Sequence, residues 1–237
     1  MSAYAVTAQF YDAVAADQHA AVDAEIAGVL QGLDTIAGPV VDIGAGTGLS
    51  TQVIARALPE AEILAVEPDP AMRPALMTRL WSDPDLRQRV TILPSPLLSA
   101  PLPAVISGAV ASASLVHFDP QDRRLLWELL SDRLSPCGRA IFEIQCPTAQ
   151  NIPETCIGKI RVGRVTYECR ASAERIDAAR LRWHLQYISR LDGSELDHQS
   201  TEYVCWALSP EQALAEAGAF GLVGFETGSL VILGHPQ

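Results

Sequence analysis

Basic residues are scarce in this chain, and their scarcity excludes a class of partners. Seventeen Lys and Arg stand against 28 Asp and Glu, a formal net charge of −11. Affinity for DNA or RNA comes largely from cations that neutralise phosphates, so no nucleic-acid partner is expected. Long apolar runs are missing as well: no stretch reaches the roughly 18 residues of a membrane span, and no membrane partner is expected. The opening MSAYAVTAQFYD has neither the basic start nor the apolar stretch of an export signal, so a cytoplasmic location is expected. Cysteine is sparse, at 137, 146, 156, 169 and 205, an odd set without a C-x-x-C pair. This argues against a disulfide framework or a zinc site, and the five read as free buried thiols, with no metal. No internal repeat interrupts the 237 residues, and low complexity is confined to an alanine-rich stretch near 13–29, where alanine serves as a helix former. With 49% hydrophobic and 19% charged residues, the chain has the means to bury an ordinary core.

What is present concentrates between Val40 and Pro70, in VVDIGAGTGLSTQVIARALPEAEILAVEPDP. The apolar run at 39–43 is short, β-branched and unalternated, as a strand buried on both faces should be. Gly44, Gly46 and Gly48 follow at once, where a backbone must turn sharply and come close to a ligand. Residues 49–58 have helical spacing, and a second strand at 62–66 runs into Glu67, about 20 residues beyond the loop, where a doubly wound sheet places the carboxylate that accepts ribose hydroxyls. The glycine spacing is G-x-G-x-G. A dinucleotide-binding loop needs G-x-G-x-x-G to set a helix N-terminus against a pyrophosphate, so a nicotinamide reductase is disfavoured.

From about Val40 to Ile144 the chain resembles the class I S-adenosylmethionine-dependent methyltransferases, whose first motif has this spacing. The resemblance implies S-adenosylmethionine as cofactor. It puts Asp42, Gly44, Ala45 and Gly46 around the methionine part of the ligand, Glu67 on the ribose, and Pro68 and Met72 against the adenine ring. The third motif departs from the family pattern: RVTILPSPL sets Pro96 where an aspartate usually takes the adenine amino group, leaving Ser95 or the backbone of Leu97 to replace it.

The pattern continues as helix 70–81, strand 89–93, strand 105–111, helix 120–134 and strand 138–145, an alternation that implies a parallel sheet with right-handed crossovers. Helix 210–219 and strands 221–226 and 229–234 complete an α/β fold, a doubly wound, mostly parallel seven-stranded sheet of Rossmann-like methyltransferase type. Residues 1–36 read as a helical cap in which two helices lie between 6 and 33. Residues 147–208 read as an antiparallel β insertion after the fifth strand, with period-two segments at 160–170, 178–190 and 196–207 and a hairpin turn at Asp192 and Gly193. In 180–191 the odd positions are mostly apolar and the even ones polar, so one face packs. The edges of such an insertion need cover, which a homodimer would supply.

Methyl transfer from a sulfonium is an in-line displacement; an acceptor hydroxyl, thiol or phenol-activated carbon must lose a proton, whereas a neutral amine attacks first. His117, in SASLVHFDP after the fourth strand, is the candidate base, since ligands bind at the C-terminal edge of such sheets. A histidine there can equally orient the loop. Tyr11 resembles the tyrosine of the F-Y-D start of many small-molecule methyltransferases, where the first helix closes over the sulfonium, though Phe10 and Tyr11 could simply pack that helix. Glu143 and Gln145 at the end of the fifth strand are candidate acceptor contacts or buried hydrogen-bonding groups of the sheet edge; His184, on the polar face of the insertion, is a candidate acceptor contact if that face covers the cleft, the plainer reading being a solvated face. Trp183, Tyr187, Tyr203 and Trp206 could wall a planar acceptor or merely pack strands. The activity so implied is methylation of an O, N or C atom of a small aromatic or heterocyclic metabolite. The alternative is a cofactor-binding cyclase or sensor that transfers no methyl.

Overall fold

The structure, a computed structural model, describes residues 4–236, without the side chains of residues 16–19 and 21. Its main sheet has the order β10-β11-β5-β4-β1-β2-β3. The strands are β1 (Val40–Ile43), β2 (Ile63–Val66), β3 (Val90–Leu93), β4 (Ile106–Ala111), β5 (Leu134–Glu143), β10 (Val223–Thr227) and β11 (Leu230–Gly234). The first five pair in parallel and the β10–β11 hairpin joins β5 antiparallel. Every residue of β1, β2 and β4 is buried, which is why their sequences are mostly apolar and do not alternate, with Asp42 and Ser107 as buried polar members. Helices α1 (Tyr11–Leu30), α2 (Leu49–Ala57), α3 (Arg73–Ser82), α4 (Pro84–Arg89), α5 (Pro120–Arg133) and α6 (Pro210–Gly218) flank the strands. On one face the fully buried Trp127 of α5 meets Phe142 edge-on at 5.1 Å, and Glu216 of α6 accepts from both its indole N–H and the buried Arg123. That pairing lets a guanidinium be buried at all.

Four long antiparallel strands form the second sheet: β6 (Ile152–Val162), β7 (Val165–Arg175), β8 (Arg180–Leu191) and β9 (Ser194–Trp206), in sequence order. The expected insertion is present with its turn. Asp192 and Gly193 both have positive φ, 50° and 89°, as a two-residue hairpin that follows the strand twist requires. Leu181, Leu185 and Tyr187 of β8 are buried, while Arg182 and Gln186 face the other way, as the alternation predicts.

Several expectations need correction. The segment 6–33 is not two helices but a single 3-10 turn at Thr7–Gln9 and one continuous helix, α1, because nothing in its alanine-rich middle breaks helical geometry. The insertion has four strands, not three: the run read at 160–170 spans the end of β6, the turn at Gly163 and most of β7. Strand β5 begins at Leu134, so Pro136 to Gly138 lies within it, beside a register shift against β4. Of the five cysteines, 146, 169 and 205 are buried and Cys137 and Cys156 are exposed; all five are free. Among the described residues no helix is long and apolar enough to cross a membrane, and no cluster could hold a metal.

The second sheet lies over the main one through the N-terminal segment. Phe10 stacks on Tyr187 with ring centres 4.8 Å apart, and Phe10, Val14, Cys169, Ala171 and Leu185 form one buried cluster. Gly158 of β6 makes this approach feasible: a Cβ there would sit 2.5 Å from a methyl carbon of Val14. A cleft is left between the C-terminal edge of the main sheet, α1 and the β7–β9 face.

Candidate cofactor and acceptor site

The loop after β1 is held by its surroundings before any ligand is considered. Gly44, Gly46 and Gly48 have φ of 71°, 57° and 92°, which side-chain-bearing residues avoid, and a Cβ at Gly44 would lie 2.6 Å from the Cβ of Ser114. The N–H groups of Gly44 and Ala45 both donate to the carbonyl of Val66, and Ser114 Oγ donates to the carbonyl of Ile43. Asp42 is fully buried and accepts from Ser50 Oγ and, at 2.5 Å, from Thr51 Oγ1. Burial, partly opposed by those two hydroxyls, pushes its carboxyl up from 3.8 to about 6. The loop is also latched from outside. Asp12 of α1 accepts from Thr47 Oγ1 at 2.5 Å and pairs with Arg79 of α3, which in turn donates to the carbonyl of Thr47.

Glu67, 5% exposed at the end of β2, faces the loop across the cleft. One carboxylate oxygen accepts the N–H of Gly46 and the other the N–H of Asp69, each at 2.7 Å. Burial raises its pKa, and these two hydrogen bonds oppose the rise. The carboxylate is thereby fixed in orientation with lone pairs left for two further donors.

A cavity of about 420 Å³ starts at Gly44, Gly46 and Glu67. Pro68, Met72, Leu97 and Leu98 give it an apolar slot beyond Glu67, and it ends among Tyr4, Tyr11, His117, Leu185, Tyr187 and Tyr203. A recess of about 20 Å³, lined by Ala45, Thr47, Ser50 and Asp23, shares Tyr11, Gly44, Gly46 and Ser112 with it. Among the described residues no Lys or Arg lines either space, whereas Glu67, Asp69 and Asp122 line the larger one. Such a charge balance suits a sulfonium cation, the apolar slot suits a purine, and the fixed carboxylate suits a ribose diol. S-adenosylmethionine therefore fits the residues present, with the polar recess left for its methionine end.

His117 sits in a 3-10 turn, Leu115–His117, directly after the β4 edge. Tyr4 Oη lies 2.5 Å from its Nε2, the two rings meet edge-on, and Tyr203 stacks on Tyr4 at 5.8 Å. Burial lowers the pKa of His117, so the ring is neutral at pH 7. Tyr11, Tyr187 and Tyr203 all have raised pKa values, principally through burial, and are neutral phenols.

Most of the residues read from the sequence meet at this cleft: Tyr11, Gly44, Gly46, Glu67, Pro68, Met72, Leu97, His117 and Gln145 line the cavity and Ala45 the recess. Others do not. Asp42 lies beneath the loop and reaches the recess only through Ser50, because its carboxylate is consumed in holding α2 to β1. Gly48 begins α2 and is needed for space: a Cβ there would sit 2.7 Å from Leu76 Cδ1. Ser95 stands behind the wall, its buried Oγ without a hydrogen-bond partner, while its neighbours Pro96 and Leu97 form that wall. Glu143 accepts from Ser112 Oγ at 3.0 Å and supports the wall from behind. His184 points to the opposite face of β8 from Leu185 and hydrogen-bonds Glu202 at 3.0 Å, away from the cleft. The apolar face of the insertion, not the polar one, covers the site. Tyr4, Thr7, Cys169 and Leu185 were missed; period two could have flagged Leu185, and no local signal marks Tyr4.

Residues 40–138 match a family model described as a methyltransferase domain. No curated protein matches the chain. Among solved structures it superposes on Streptomyces venezuelae DesVI with a TM-score of 0.79 at 16% identity, covering 100% of this chain and 99% of that one. CalS10, an amino pentose methyltransferase from Micromonospora echinaspora solved with S-adenosylmethionine bound, gives 0.72 at 17% identity and 91% of both chains. The glycopeptide N-methyltransferase MtfA with S-adenosylhomocysteine gives 0.61 at 21% identity, over 91% of this chain and 86% of that one. At such identities these likenesses establish the fold. The methyltransferase-domain match covers the stretch that carries the glycine loop and Glu67, and the whole chain has the fold of S-adenosylmethionine-dependent methyltransferases.

Proposed function

We propose that the protein transfers a methyl group from S-adenosylmethionine to the nitrogen of a small amine. The observation that carries this reading is the cleft's acceptor end, where neutral tyrosines and a neutral histidine meet, in a cavity that Glu67, Asp69 and Asp122 line and no Lys or Arg among the described residues does. Tyrosine faces attract a cation, and an ammonium entering this space meets negative rather than positive charge. A phosphate or carboxylate at the reacting end would lose its hydration without a compensating cation. The tyrosine rings also offer flat apolar walls to a ring-shaped acceptor, aromatic, heterocyclic or sugar-like. Two of the structural neighbours above are named for amino-sugar or N-methyl transfer, and a third, KedS8, is named a sugar N-methyltransferase.

S-adenosylmethionine, when bound, would supply an electrophilic methyl group for the acceptor's lone pair. The chain's own part is to hold and exclude. Glu67 and the glycine loop fix one reactant, and the Tyr4, Tyr11, Tyr187 and Tyr203 walls confine the other and keep water out. Alignment of this kind lowers a barrier by about 7 to 11 kcal/mol at best. Asp12 and Arg79, by pinning α1 to the loop, keep Tyr11 over the junction of the two spaces.

The test is methyl-labelled S-adenosylmethionine with a panel of small amines, phenols, thiols and carboxylates, each in free and phosphorylated form. Label in uncharged-ring amines, with phosphorylated counterparts poor, is the expected outcome. Transfer confined to oxygen or carbon, or preference for phosphorylated acceptors, overturns the amine reading.

A further inference from the structure

We infer that Tyr4 and His117 act as a proton relay, in which the Tyr4 hydroxyl meets the acceptor and passes its own proton to His117 Nε2 as it takes one from the acceptor. The inference rests on the amine reading above and says how an amine that arrives as an ammonium becomes able to react.

An ammonium has no lone pair, so a proton must leave before methyl transfer. Among the described residues on the cleft wall, His117 is the only one whose ordinary pKa lies near neutrality. Yet its Nε2 is not open to the acceptor, because Tyr4 Oη lies 2.5 Å away from it, at the short end for a hydrogen bond. Both groups line the cavity. Tyr4 is fixed from two sides, edge-on against His117 and stacked on Tyr203 with 27° between ring planes. The hydroxyl thus stands between the imidazole and the space where an acceptor would lie. Burial holds the Tyr4 phenol well above its ordinary pKa, so it is a hydroxyl and can donate to Nε2. The other titratable groups around His117 are Tyr203 from β9, with ring centres 5.9 Å apart, and Asp122 from α5 on the same cavity wall. Cys146 and Cys205, packed against Val116, lie behind.

The step balances. An N–H bond of the ammonium breaks and its proton binds Tyr4 Oη, while the Tyr4 O–H bond breaks and that proton binds His117 Nε2. The products are a neutral amine, a neutral phenol and an imidazolium, which later loses its proton to solvent.

The relay requires one tautomer. Nε2 must be the acceptor, so the ring proton must sit on Nδ1, and ¹⁵N NMR of imidazole-labelled protein reads this without any turnover. The expected spectrum is that of the Nδ1–H tautomer, with the Nε2 resonance moving in Tyr4→Phe, a variant that keeps the stack on Tyr203 and removes only the hydroxyl. In turnover, Tyr4→Phe and His117→Gln each lower kcat/KM at pH 7 by about 100-fold, within the range for removing a general base. The double variant is no worse than either single one, as for residues acting as a unit. Cofactor affinity measured by calorimetry stays within about twofold. The deficit shrinks as pH rises towards the acceptor amine's own pKa, because the free amine no longer needs the relay. An Nε2–H tautomer, or a Tyr4→Phe enzyme within twofold of wild type across the pH range, overturns the relay. The amine reading fails separately, if the wild type methylates only hydroxyls. The same variant-to-wild-type ratio on that hydroxyl then still tests the relay.

Discussion

The seven-stranded sheet holds its half of the cleft with backbone, and the four-stranded sheet holds its half with side chains. At the β1 and β2 edge the determinants are positive-φ glycines, N–H groups that share the carbonyl of Val66, and a carboxylate aimed by two amides. At the β7–β9 face they are ring faces and methyl groups: Tyr187, Leu185 and Tyr203. The first kind of site tolerates little variation, since few residues adopt left-handed φ or fit where a Cβ has no room. The second tolerates many apolar residues of similar size. A fold that must keep one cofactor while changing acceptors is served by this division.

The largest expected effect is at the backbone-built end. If Glu67 accepts two ribose hydroxyls, each such bond is worth about 1.5–3 kcal/mol to a charged group, and Glu67→Ala is expected to lower cofactor affinity by at least about 100-fold. Calorimetry with S-adenosylhomocysteine measures it, and a loss below tenfold means that the carboxylate serves only to brace the loop through Gly46. The acceptor KM of any residual activity should change little, which is the sense in which the two halves are separable.

Asp42 gives the next effect, on stability. Its folded pKa of about 6 lies above the ordinary 3.8, so the folded state binds this proton more tightly than the unfolded chain does. The stabilisation is complete below the unfolded value and is lost as pH rises through the folded one, amounting to about 2 kcal/mol between pH 4 and pH 7. Asp42→Asn removes that share of the pH dependence. Denaturant midpoints of both proteins at pH 4 and pH 7 isolate it, since all other titrating groups cancel in the difference. Equal slopes for the two proteins would show that Asp42 is ionised throughout.

Tyr187→Leu tests the side-chain-built end. It removes a ring that stacks on Phe10 and a hydroxyl that donates to Thr7 Oγ1, leaving an apolar wall of lower area. Acceptor KM is expected to rise about tenfold, near the 0.5–1.5 kcal/mol of an aromatic pair plus its area, with cofactor affinity within twofold. If cofactor affinity falls equally, the halves are coupled through the N-terminal segment rather than independent.

The same division explains what could be read from the chain beforehand. Backbone constraints leave marks at fixed spacing, so Gly44, Gly46, Glu67 and the parallel alternation were legible. The supporting positions around them were legible as residue types but not as roles, because Asp42 and Gly48 act one layer behind the ligand wall. In the insertion, period two announced strands and an inward face, while the merging of β6 into β7 at Gly163 concealed a strand. Tyr4 left no mark at all: it reaches His117 across 113 positions, through a contact that only the folded N-terminal segment creates. The face that covers the cleft followed from packing too, and the polar side of β8 turns away from it.

That choice of face supplies the smallest expected effect, and the sharpest contrast between neighbours. Leu185 and His184 are adjacent, and a strand sends adjacent side chains to opposite sides. Leu185 is buried on the cavity wall; His184 lies on the outer side, where its Nδ1 pairs with Glu202 and its Nε2 approaches Glu174 at 4.0 Å. All three side chains are substantially exposed, and exposed pairs contribute about 0 to 1 kcal/mol. His184→Ala should therefore leave cofactor affinity and acceptor KM within twofold and stability within about 0.5 kcal/mol. Leu185→Ala, one position on, should raise acceptor KM severalfold and cost about 2 to 5 kcal/mol of stability. If His184→Ala instead alters acceptor KM while Leu185→Ala alters stability alone, the cleft is covered from the other side, and the assignment of the apolar face to the acceptor fails with it.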